Sequence, residues 1–163
     1  MVVYIMTAMK PFNIVLVEPE IPPNTGNIAR LCAATGSILH LVGELGFSLD
    51  DRYLKRAGLD YWEHVAMRCW PDLQTLREAS PDGRFFYLST KASRSYLDVC
   101  YQSGDYLVFG KETKGLPEEL IRANPDNAVT IPMPGHEAVR SLNLSTSAGI
   151  VLYEALRQTG RMC

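Results

Sequence analysis

Three short segments hold most of the side chains that could do chemistry. The first is P-P-N-T-G-N-I-A-R, residues 22–30. Its prolines, followed by Asn24, Thr25 and Gly26, shape a turn into a helix, with Asn24 as the N-cap. Free amide N–H groups at such a start favour an anion such as a phosphate. Arg30 sits one turn inside, on a different face from Ile28, Leu31 and Cys32. Turn chemistry alone leaves two readings open: an anion site with a cation beside it, or a capped helix with a solvated arginine.

The second segment is F-G-K-E-T-K-G-L-P, residues 109–117. Gly110 ends a strand, where backbone can approach a ligand closely, and Gly115-Leu116-Pro117 restarts a helix. It is not a P-loop, because Lys114 precedes the second glycine, and no G-x-G-x-x-G occurs in the chain. The third segment spans residues 131–149, where Ser141, Asn143, Ser145, Thr146 and Ser147 crowd a helix start that one cap would satisfy. The surplus suits a tight backbone crossing or a ligand's hydrogen-bonding shell. His136 reads as a solvated loop histidine. Arg52, Lys55 and Arg56 precede Tyr61 and Trp62. That pattern fits phosphate contact with base stacking, and equally a solvated helix face. There is no G-x-S-x-G, no H-E-x-x-H and no Cys–His nucleophile pair. The residues by themselves imply an α/β domain with a ligand site built from loops.

The elements that must position these segments alternate. Residues 12–17 (FNIVLV), 38–42 (ILHLV), 85–89 (FFYLS), 106–109 (YLVF) and 129–131 read as strands, with a weaker one at 64–67. Helices are expected over 24–35, ended by Gly36, over 50–57, over 71–79 with Pro71 at an early position, over 117–122 and over 144–158. The last has an apolar face of Leu144, Ala148, Val151, Leu152 and Ala155, widened by Ile150, Tyr153 and Leu156. A subunit interface or an ordinary buried helix would each explain that excess. Alternation of strands and helices predicts an α/β fold, a parallel sheet with helices on both faces. Ligands of such sheets lie beyond the carboxyl ends of the strands, which draws attention to loops 18–27, 110–117 and 132–143.

With 163 residues, 47% hydrophobic and 21% charged, the chain suits one folded domain, taken as residues 10–163 after an N-terminal extension over 1–9. The extension is too short to span a bilayer and lacks the charged start of a signal peptide. No later run reaches membrane length, so a soluble cytoplasmic protein is expected, with no membrane partner. Net charge is −2, so any nucleic-acid contact must use a local patch. Cys32, Cys69, Cys100 and Cys163 form no C-x-x-C pair and read as reduced thiols, with no metal site.

Taken together and in this order, N-T-G-N-I-A-R, L-V-F-G-K-E-T-K-G-L-P and I-P-M…R-S-L-N-L-S-T-S resemble the SPOUT superfamily of RNA methyltransferases. The opening E-P-E-I-P-P and the segment A-G-L-D-Y-W narrow the resemblance to its minimal branch, which contains tRNA (cytidine/uridine-34-2′-O)-methyltransferases. The resemblance implies a SPOUT-type fold with a C-terminal deep trefoil knot and a homodimer. It implies 2′-O-methylation of the ribose at the wobble position of a tRNA anticodon loop, with S-adenosylmethionine as donor and no metal. By position it assigns Leu88, Gly110, Ile131 and Ser141 to the cofactor, with backbone of Met133 and Leu142 beside them, and Arg30 to catalysis. Asn24, Asn27, Arg52, Lys55, Arg56, Arg140, Asn143 and Tyr153 are the substrate or RNA candidates, and Glu112 matches a family position without a role. The alternatives are the same chemistry at another tRNA or rRNA site, a non-catalytic RNA-binding module, and a generic nucleotide-binding protein.

Overall fold

The computed structural model describes residues 9–50, 52 and 61–160. Within them lie the strands β1 (Asn13–Val17), β2 (Ile38–Val42), β3 (Met67–Trp70), β4 (Phe85–Leu88), β5 (Arg94–Ser95), β6 (Tyr106–Phe109) and β7 (Ala128–Thr130). The helices are α1 (Pro22–Thr35), α2 (Leu73–Glu78), α3 (Glu118–Ala123) and α4 (Leu144–Gln158). The strands form one sheet in the order β3-β2-β1-β6-β4-β7-β5, and every pairing is parallel. β6 is central, and β1 beside it has β2 and β3 on one side and the four later strands on the other.

Alternation along the strands divides the core into two layers. Ile14, Leu16, Leu39, Leu41, Phe86, Leu107 and Phe109 face α1 and α4, whose Ile28, Cys32, Ala148, Val151, Leu152 and Ala155 meet them. Val15, Val42, Phe85, Tyr87 and Val108 face the other way, against Leu76 of α2 and Ile121 of α3. Helices therefore cover both faces, as expected for a parallel sheet. In α4, Leu156 belongs to this core, Ile150 is half-buried and Tyr153 is exposed.

One buried polar chain crosses the second layer. Trp70 Nε1 donates to His40 Nδ1 at 3.0 Å, and His40 Nε2 lies 2.9 Å from Asn13 Oδ1. Indole is only a donor, so Nδ1 must accept and Nε2 carries the proton given to Asn13. Asn13 in turn donates to Gly104 O. Burial, with Arg68 adding like-charge repulsion, pushes the His40 pKa down to about 4.

Several element boundaries differ from expectation. The weak strand expected at 64–67 is β3, Met67–Trp70, preceded by a 3-10 turn at Trp62–His64. Pro71 lies outside α2, because Asp72 is the cap and its carboxylate accepts from Thr75 N at 2.7 Å. Pro117 is likewise the N-cap of α3 rather than its first residue. Most of the helix expected at 50–57 falls outside the described residues. β5, only two residues long, gives no periodic signal in the sequence.

Candidate functional site

At the carboxyl ends of β6, β4 and β7 the chain leaves a cavity of about 470 Å³, within the usual range for a small-molecule site. Leu88 and residues 89–91 form one wall, Phe109 to Leu116 another, and Thr130, Ile131 and Met133 a third. Residues 140–144 and Ser147 close it from the start of α4, with Ile21 and Asn24 from the start of α1. The lining mixes apolar residues with hydroxyl-bearing and charged ones. Such a surface suits a small ligand with both an apolar part and polar groups.

The walls are joined by side chains from distant parts of the sequence. Glu112 Oε2 accepts from Glu20 N at 2.8 Å, while Oε1 accepts from Ile21 N at 3.2 Å and Asn24 Nδ2 at 3.1 Å. Asn24 Oδ1 accepts from Asn143 Nδ2 at 3.0 Å, and Asn143 Oδ1 caps α4 through Ser145 N and Thr146 N. Lys111 Nζ donates to Glu18 Oε2 at 2.6 Å, and Thr113 Oγ1 donates to Glu20 Oε2 at 2.8 Å. Residues 111–113 of this loop are thereby fastened to residues 18–24.

These bonds correct two expectations about α1. Asn24 is not its N-cap; the helix begins at Pro22 after Ile21 and has no side-chain cap. Nor does its start present free amides to an anion. Pro22 and Pro23 have no N–H, the amides of Asn24 and Thr25 bond Ile21 O, and those of Glu20 and Ile21 are taken by Glu112. An internal carboxylate fills the place expected for a phosphate. Gly110 has a further reason to be glycine. A Cβ there would lie 2.1 Å from Gly115 C and 2.2 Å from Leu116 N, so the chain's own backbone also packs against it.

Leu88, Gly110, Ile131, Ser141, Asn24, Arg140 and Asn143 line the one cavity. Arg30, Asn27 and Tyr153 are exposed and do not line it; Arg30 instead places its guanidinium 5.0 Å from the centre of the Tyr61 ring. Arg52 is exposed and outside the lining, while Lys55 and Arg56 lie outside the described residues. His136 is exposed, and its Nδ1 accepts from Ala138 N. Sequence reasoning missed Ser89, Thr90 and Lys91. The signal was available, since any loop leaving the carboxyl end of a parallel strand borders this edge. Among the described residues, no group of three or more His, Cys, Asp or Glu could hold a metal ion, and no helix is long and apolar enough to cross a membrane.

The tRNA (cytidine(34)-2′-O)-methyltransferase of Escherichia coli is 50% identical over 149 residues, covering 91% of this chain and 94% of its own. A solved structure described as "Structural insights into the 2-OH methylation of C/U34 on tRNA" superimposes with a TM-score of 0.86 at 46% identity, covering 91% of this chain and 96% of that one. An AdoMet bound rRNA methyltransferase from Sinorhizobium meliloti gives 0.80 at 27% identity, covering 91% of this chain and 57% of that one. The family model described as SpoU rRNA Methylase matches residues 11–153, and the chain belongs to that family.

Proposed function

We propose that this chain transfers a methyl group from S-adenosylmethionine to the ribose 2′-hydroxyl of the wobble nucleotide of a tRNA, cytidine 34 foremost. The observation that carries the reading is half-identity, over nearly the full length of both chains, to an enzyme of that activity. The cavity supports it: Leu88, Gly110, Ile131 and Ser141 line one space whose mixture of apolar and polar residues fits an adenosine. When bound there, the cofactor supplies an electrophilic sulfonium methyl.

The chain's own residues would then orient and stabilise. Leu88 and Ile131 present apolar faces, and Ser141 offers a hydroxyl at the rim. Arg30 belongs to the substrate side, where it positions ribose and phosphate and stabilises charge developing on the 2′-oxygen. Arginine keeps its proton in proteins, which favours this role over that of general base. Arg140 at the cavity mouth and Asn27 on the outer side of α1 are proposed RNA contacts, with Arg52, Lys55 and Arg56 as a further basic stretch. The acceptor is an anticodon loop, whose unstacked nucleotides a small catalytic domain can reach.

The proposal also includes the trefoil knot of the C-terminal segment, one domain over residues 10–163 behind an extension at 1–9, a cytoplasmic location and a homodimer. The family match beginning at residue 11 supports the domain start, and the exposed Tyr153 beside half-buried Ile150 offers α4 as an interface.

The test incubates purified protein with tRNA lacking wobble methylation and isotopically labelled S-adenosylmethionine, beside an Arg30→Ala control, followed by nucleoside mass spectrometry and fragment mapping. Label on the position-34 ribose, lost in the control, is the expected result. Label at another position overturns the substrate, and no label despite cofactor binding overturns the activity. Light scattering of the same preparation is expected to give twice the chain mass of 18.2 kDa; a fully active monomer would sink the dimer.

A further inference from the structure

Glu112 is half-buried at the cavity wall and spends both carboxylate oxygens on residues 20–24. Holding the loops together does not by itself require it, because Lys111–Glu18 and Thr113–Glu20 already join the same two segments. What Glu112 adds is reach into the helix. Asn24 is only 6% exposed, and its amide is used at both ends, Nδ2 toward Glu112 and Oδ1 toward Asn143. Neither end can be reversed without setting donor against donor or acceptor against acceptor. The relay Glu112–Asn24–Asn143 therefore fixes the start of α1 relative to two cavity walls, loop 110–117 and the first turn of α4.

Arg30 rides on that same helix. It lies six residues beyond Asn24, about 9 Å along the axis at 1.5 Å per residue. A regular helix moves as a rod, so a shift at its start reaches Arg30 undiminished. We propose that Glu112 is a positioning residue, which through Asn24 sets the register between the cofactor cavity and the helix carrying Arg30. This rests on the reading of the site as a methyltransferase with Arg30 on the substrate side. Glu112 itself takes no proton and touches no reacting atom; its work is to hold Asn24 and the helix start.

The sharpest variant is Glu112→Gln, which keeps the shape but turns one acceptor into an NH2 group facing a donor. Misplacement of a positioned group by a fraction of an ångström to an ångström costs up to about 100-fold in rate. The expected result is a kcat lowered at least about tenfold, with the Kd for S-adenosylmethionine, by calorimetry, within about threefold of the parent. The discriminating measurement is a cycle with Arg30→Ala. If Glu112 acts through Arg30, Glu112→Gln costs less than about twofold in the Arg30→Ala background. Losses that multiply across the two sites overturn the proposal, as does an unchanged kcat, or a cofactor Kd that rises in parallel with the loss of rate. Should Glu112→Gln fail to fold, Asn143→Asp breaks the relay from its other end, sets a carboxylate against Asn24 Oδ1, and is read in the same cycle. A parent protein with no tRNA methylation would instead refute the activity, so the two failures are separable.

Discussion

A methyl group at Gly110 would sit 2.1 Å from the carbonyl carbon of Gly115, and the neighbouring atoms are backbone that no rotamer change can move. Loop 110–117 folds back on itself, with Gly115 N donating to Lys111 O at 2.8 Å, and Gly110 is the floor on which that fold rests. Gly110→Ala must displace the loop. Overpacking of this kind costs about 1–3 kcal/mol, or a fall in Tm of roughly 3–10 °C for a domain of this size. Because the displaced loop is a cavity wall, S-adenosylmethionine affinity is expected to fall at least about tenfold, measured by calorimetry on soluble, folded protein. Parent-like Tm and affinity would mean that residues 115–116 yield freely. The glycine stands out in the sequence for its strand-end position, which suggests a ligand's approach. The clash with residues five and six places on is a second reason, and depends on a turn geometry that composition does not reveal.

Elements show the same division between what local pattern carries and what distant contact decides. Ile38–Val42, Tyr106–Phe109 and Leu144–Gln158 were legible to the residue, because an apolar run or a helical stripe bounded by turn residues determines them locally. The start of α1 was not. Asn24 has the chemistry of a cap, yet Glu112, 88 residues away, claims its amide, and the prolines before it begin the helix instead. No local rule foresees a carboxylate arriving from another strand end. Asn143 is the opposite case, a cap that also bridges. Asn143→Ala removes the acceptor for Ser145 N and Thr146 N, about 1 kcal/mol, and strips buried Asn24 Oδ1 of its donor, about 1 kcal/mol or more. Asn143→Asp keeps the capping oxygen and places a negative charge where the helix dipole favours it. Asn143→Asp still loses the donor to Asn24 Oδ1, so chemical denaturation is expected to show the alanine variant less stable by about 2 kcal/mol and the aspartate variant by about 1 kcal/mol. Equal losses in the two would show that bridging to Asn24, not capping, dominates at this position.

For the whole molecule, a parallel sheet covered on both faces followed from the alternation of elements, but the strand order did not. Placing β6 beside β1, with β4 between β6 and β7, brings three loops separated in sequence to one edge, and that order reflects packing of the complete chain. Its consequence for stability is carried by the His40 chain, which links the three adjacent strands β1, β2 and β3 through Asn13, His40 and Trp70. His40 is fully buried and neutral, with a pKa pushed down from 6.5 to about 4. Unfolded, the imidazole takes a proton below about pH 6.5, whereas in the native state it declines one until about pH 4. The unfolded chain therefore binds more protons across that window, and stability falls as pH drops through it. A shift of this size corresponds to roughly 3 kcal/mol between pH 7 and pH 4. Buried Asp105, whose pKa is raised chiefly by desolvation, works in the opposite sense and returns part of the loss at the acid end. Urea denaturation from pH 8 to pH 4 is expected to show a decline beginning near pH 6.5. In His40→Phe, overall stability is lower because Trp70 and Asn13 lose their partner, but the slope between pH 6.5 and about 5 should largely vanish. A slope surviving intact in that variant would assign the acid sensitivity to other groups and leave the histidine as packing alone.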